Sequence, residues 1–165
     1  MPLQEPPRTS KRLRFSRLQL VGMIAMAAVP ILAMAGVFSP RSSTLAARSD
    51  AIEIEVKYSN RARLSLALAM DLKVTNVSAE TIDDVRVSFD ESYLSAFTSV
   101  SMTPSPETVT PDATVVHLGD MGAGEAKAIN IELKPASPWH RQGKVRASAE
   151  RGPGAEVTLS TWVLP

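Results

Sequence analysis

The sequence predicts an all-β domain, an antiparallel sandwich of about seven to eight strands, preceded by one transmembrane α-helix. Three observations lead there. Residues 18–38, "LQLVGMIAMAAVPILAMAGVF", carry no charge. From residue 50 onward, apolar residues recur at every second position, the period of a strand with one buried face. Between the alternating runs lie short segments of Gly, Pro, Asn and Asp, which turn the chain.

The elements follow in order. Residues 1–17 begin "MPLQEPPRTS" and read as a disordered, basic cytoplasmic tail. Residues 18–38 form the membrane span. At about 1.5 Å per residue they reach roughly 32 Å, against a hydrocarbon core of about 30 Å. A secretory signal has a shorter apolar core, ~7–15 residues, followed by small residues. Ala33-Met34-Ala35 and Ala46-Ala47 have that small-residue character, so cleavage after Ala35 or Ala47 is the alternative to a retained anchor. The chain has no cysteine, so no lipid-modified thiol can replace the helix. Arg8, Lys11, Arg12, Arg14 and Arg17 precede the span, while Arg41 and Arg48 follow it. Lys and Arg remain on the cytoplasmic side. The expected topology is single-pass in a bacterial inner membrane, N-terminus cytoplasmic and C-terminal part periplasmic.

Within the span, Gly22, Ala25, Val29, Ala33 and Gly36 fall on one helical face of mostly small side chains. Such faces let a second membrane helix approach closely. Pro30 removes one backbone donor, which membrane helices tolerate.

Residues 39–49, "SPRSSTLAARS", are Ser-rich and read as a linker. The sandwich is expected over 50–165. "AIEIEVKY" puts Ile52, Ile54, Val56 and Tyr58 on one side. "RLSLALAMDLKVTN" alternates Leu64, Leu66, Leu68, Met70, Leu72 and Val74 with smaller or polar residues. Further strands point Val85, Val87 and Phe89 inward, then Ile129, Ile131 and Leu133, then Val145, Ala147 and Ala149, then Val157, Leu159 and Val163. "TVVHLGD" adds a short strand. "ESYLSAF", residues 91–97, suits one helical turn, and residues 97–111 read as a loop or irregular edge.

Charge narrows the function classes. The net charge is +1, but the first 40 residues hold five Lys or Arg and one acid. The remainder is net negative, which is not the footprint of a nucleic-acid binder. The basic tail suits an anionic lipid surface.

"MDLKVTNVSAETIDDVRVSF", residues 70–89, resembles a strand, polar turn and strand of bacterial extracytoplasmic immunoglobulin-like (CARDB-like) modules. In "VVHLGDMGAGEAKAINIELKP", residues 115–135, Leu118, Gly119, Gly124 and Glu125 match the turn before a strand, with Met121 in place of the usual Leu. The resemblance implies an immunoglobulin-like sandwich used for adhesion, scaffolding or support of a membrane complex, and no catalysis. The layout of helix plus sandwich also resembles a periplasmic copper chaperone, but those proteins hold copper on cysteines, which this chain lacks.

No catalytic, cofactor or metal constellation stands out. His117 and His140 have no metal-ligand spacing, and Asp83, Asp84, Asp90 and Glu91 lack a calcium-loop pattern. The candidate contact residues are Pro104 and Pro106 in the Pro-rich stretch, and Trp139, His140 and Arg141 in "PASPWHRQG". The expected partners are other membrane-protein subunits and the bilayer. The expected function is a non-catalytic accessory subunit bracing a larger membrane complex, such as a respiratory or photosynthetic one. The alternatives are a tethered binding module for a peptide, glycan or cell-wall partner, and an assembly factor.

Overall fold

The computed structural model describes residues 16–34, 36, 41–150, 152 and 154–165. The chain divides into two units, one ending at Ser39 and the other starting at Pro40.

The first unit contains α1, Arg17–Met34, an 18-residue helix with Pro30 inside it and no buried residue. It is long and apolar enough to cross a membrane, reaching about 27 Å. It stops short of the expected end at residue 38. Gly36 lies beyond it with φ +72°, and its N–H bonds Ala33 O at 3.0 Å. Left-handed glycine just past the last turn is a usual helix stop. Gly36 is thus not part of the small helical face, which Gly22, Ala25, Val29 and Ala33 retain. Residues 1–15 of the expected tail 1–17, and residues 35, 37 and 38 of the expected span, lie outside the described residues, while Arg17, expected in the tail, opens α1.

Among the described residues, the second unit has ten strands and one short helix. They are β1 (Arg41–Arg48), β2 (Ile52–Arg63), β3 (Leu68–Asn76), β4 (Ile82–Asp90), α2 (Glu91–Leu94), β5 (Phe97–Thr103), β6 (Thr108–Val109), β7 (Ala113–Met121), β8 (Ala126–Pro135), β9 (Trp139–Ser148) and β10 (Ala155–Leu164). The ladder runs β5-β8-β3-β2-β10-β9-β4-β7-β6, with β1 also on β2. All pairs are antiparallel except β2 with β10, which run parallel over Arg61–Arg63 and Trp162–Leu164. The two halves of this ladder fold over one core. Ile54, Val56, Leu72, Val74, Ile129 and Ile131 from one half meet Val85, Val87, Phe89, Val116, Val145 and Leu159 from the other. The architecture is the predicted immunoglobulin-like sandwich, with more strands than expected.

Three expectations are corrected. Residues 41–48 are not a linker but β1, paired with β2 from Arg41↔Arg61 to Arg48↔Glu53. Its inward side chains, Ser43, Leu45 and Ala47, are mostly small, so its alternation was faint. Leu64 and Leu66 do not belong to β3. The chain turns there, with Ser65 at φ +63°, and Leu66 is exposed. Two antiparallel neighbours, β2 and β3, require a turn between them, and the alternating leucines ran through it. Of the two readings of 97–111, the irregular edge holds and the loop does not: β5 and β6 occupy most of it as the two ends of the ladder.

Candidate functional site

The aromatic residues at one end of the sandwich decide what "PASPWHRQG" can do. Trp139 and His140 are the first residues of β9 rather than loop residues. Inward and outward positions alternate along a strand, so the two point to opposite faces. Trp139 turns inward and packs edge-on against Phe97 at 5.1 Å and Tyr93 at 6.1 Å between ring centroids. Tyr93 and Phe97 are themselves edge-on at 5.4 Å. The expectation that Trp139 is a partner contact is therefore corrected: the ring is spent closing the core beneath α2, because Gly143, two strand steps on, leaves the space Tyr93 fills. The Tyr93 hydroxyl shares a hydrogen bond with Thr161 Oγ1 at 2.9 Å. Burial pushes its pKa up to about 12, against the pull of that hydrogen bond.

His140 points outward. Its ring stacks on Trp162 at 4.0 Å and 18°, and its Nε2 lies 3.1 Å from Ser160 Oγ. Trp162 is 53% exposed. It is the tryptophan available to a partner, and the sequence reading passed over it. The available signal was its place in "EVTLSTWVL", one step out of phase with Val157, Leu159 and Val163. Arg141 is exposed, opposite the buried Thr161 in register.

Pro104 and Pro106 connect β5 to β6. Pro104 is exposed, while Pro106 lines a groove of about 210 Å³ with Glu91, Leu94, Val100, Met102, Val109 and Thr114. None of the three β9 candidates lines this groove, so the five candidates do not make one site.

At the other end of the sandwich, the two sequence motifs converge. Asn76, the last residue of β3, is 1% exposed. Its side-chain amide donates to the carbonyls of Glu80, Met121 and Gly122 at 2.7–3.0 Å, and its Oδ1 accepts from Ser78 N and Oγ. Gly122 N–H donates to Glu125 Oε2 at 2.8 Å, and Gly124 holds φ +74°. A buried amide with every position satisfied orders both turns. The role is structural.

The acidic residues disperse. Asp90 caps α2 by accepting from Ser92 N–H, and Glu91 accepts from Thr114 Oγ1. Asp84 sits between Arg86 and His117, with contacts of 2.6 Å to each. The Arg86 guanidinium holds the Asp84 carboxyl below its ordinary value. Among the described residues, no group of three or more His, Cys, Asp or Glu is arranged to hold a metal ion.

No family model and no curated protein matches this chain. Solved structures do. The chain is similar to the CARDB domain of the PF1109 protein from Pyrococcus furiosus, described in complex with di-metal ions. The two are 11% identical over 68% of this chain and 87% of that one, with a TM-score of 0.47. The likeness is one of fold. It extends to the GAE domain of GGA2p from Saccharomyces cerevisiae, 19% identical over 76% of this chain and 98% of that one, TM-score 0.34. It also extends to AvmM, a catalyst of macrocyclization in alchivemycin A biosynthesis, 9% identical over 71% of this chain and 90% of that one, TM-score 0.44. Structures bearing such different names give this chain no activity. The CARDB type that the motifs suggested is nonetheless among its neighbours.

Proposed function

We propose that this chain is a non-catalytic, single-span module of a bacterial inner membrane, with α1 in the bilayer and the sandwich presented outside the cytoplasm. One observation carries the reading. α1 is an 18-residue helix, long and apolar enough to cross a membrane. Exposed apolar side chains along a whole helix are costly in water and favourable in lipid. The basic run before α1 supports an N-terminus on the cytoplasmic side. The sandwich has its own continuous core, which suits a structural or binding unit held at the membrane.

Within this reading, the chain is a subunit of a larger membrane assembly. The small face of Gly22, Ala25, Val29 and Ala33 supports it, since a bare tether needs no close-packing surface. The test is a Gly22→Leu chain in its native membrane, extracted in mild detergent and run on a density gradient. Leucine keeps the helix apolar, so insertion survives. Co-migration with a large assembly should be lost, while Leu20→Ile, off that face, should leave it intact. Retention with Gly22→Leu would make the helix a tether and favour the binding-module alternative.

A further inference from the structure

Four neighbouring strands place one row of side chains across the outer surface of the sandwich. Arg41 of β1, exposed, pairs with Arg61 of β2 across a register shift between Arg41 and Ser42. Arg61 pairs with Trp162 of β10, and Trp162 pairs with His140 of β9. Arg63, exposed, follows Arg61 on the same face and pairs with Leu164. Leu66, 52% exposed, sits in the turn just beyond. A large exposed aromatic ring beside clustered arginines is the composition of a surface that meets a polar–apolar boundary.

The rest of the domain is charged in the complementary sense. The segments at the opposite end, residues 49–51, 77–81, 122–125 and 149–154, carry Asp50, Glu80, Glu125 and Glu150 against one base, Arg151. The arginine row also stands where the chain comes into the domain, because Arg41 opens β1 and follows α1 by six residues in sequence.

We propose that Arg41, Arg61, Arg63, Trp162 and Leu66 form a lipid-docking surface. Its occupant is the headgroup layer of a bilayer rich in anionic phospholipid. The arginines bind phosphate oxygens, while Trp162 and Leu66 enter the interfacial layer. The proposal rests on the reading of α1 as an anchor, which brings that layer within reach of Arg41.

The test uses the full chain in lipid nanodiscs, with Trp139→Phe so that Trp162 is the single tryptophan. That substitution keeps an aromatic ring in the core, and it removes an indole N–H that is buried with no hydrogen-bond partner among the described residues. Acrylamide quenching of Trp162 is compared in phosphatidylcholine alone and in phosphatidylcholine with phosphatidylglycerol. We expect quenching to fall several-fold when phosphatidylglycerol is present, and the protection to vanish in ~1 M salt, where the screening length is about 3 Å. Arg41→Gln with Arg63→Gln should lower the docked-to-free ratio by roughly 25-fold, about fivefold per arginine near an anionic surface. Equal quenching in the two lipids would overturn the proposal, as would protection that salt does not remove. Protection that arises only with added membrane proteins would assign the surface to a protein partner instead. The salt comparison needs no arginine variant, so a variant that fails to fold leaves the proposal testable. Resistance to carbonate extraction is measured in parallel, so that loss of the anchor is told apart from loss of docking.

Discussion

A methyl group at residue 143 would lie 2.3 Å from Tyr93 Cβ, well inside the contact distance of two carbons. Gly143→Ala should therefore destabilise the sandwich by about 1–3 kcal/mol through overpacking, read as a lower urea midpoint with an unchanged slope. Tyr93 itself sets an alkaline limit. Its phenol is pushed from 10.0 up to about 12 by burial, so the folded state holds the neutral form. That stability is whole below pH 10 and is lost as pH rises through about 12. It amounts to on the order of 2–3 kcal/mol. Tyr93→Phe should cost about 1 kcal/mol at pH 7, by removing the Thr161 partner. It should also flatten the fall in stability between pH 10 and 12, as followed by thermal unfolding across that range.

At the scale of elements, β1 is the strand most worth testing. Leu45 and Ala47 pack against the core from an edge position, while Ser42, Thr44, Ala46 and Arg48 face out. If residues 41–48 were a linker, Leu45→Asp would be silent. As a strand residue leaning on the core, Leu45 replaced by a carboxylate should cost roughly 1–2 kcal/mol, measured by chemical denaturation. β5 and β6 make a different point. They end the ladder, and β6 has only two residues. Short, Pro-flanked ends are how sandwiches avoid unwanted strand pairing. The prolines at 104 and 106, on either side of Ser105, suit that role.

At the scale of the molecule, the division into α1 and a sandwich with its own core leads to a prediction about processing. The protein extracted from its native membrane should have the intact mass of the full chain, apart from initiator-Met removal. A mass starting near residue 36 or 48 would mean that the helix is a leader, and would remove the anchor from the proposed function. The second cut would also take most of β1 with it, leaving β2 with one flank bare, which is a physical reason to doubt cleavage there.

The sequence by itself determined the class of the fold, because a period of two survives wherever one face is buried and the other wet. Met70, Leu72, Val74, Val85, Val87, Phe89, Ile129 and Ile131 all lie where that period put them. It also determined the apolar helix, through length and lack of charge alone. It did not determine where strands stop, since alternation at Leu64 and Leu66 carries no mark of the turn that strand pairing imposes. Nor did it reveal β1, whose small residues give little contrast between faces. The candidate surface was the least legible part. Trp139 stands in "PASPWHRQG", where no alternation shows which way it points, while Trp162 stands out of phase in an alternating run. Only the tertiary structure decides that Trp139 packs against Tyr93 and Phe97 while Trp162 stands outside. The alignment of Arg41, Arg61, Trp162 and His140 depends on strand register between segments up to 121 residues apart, a non-local property that no local pattern encodes.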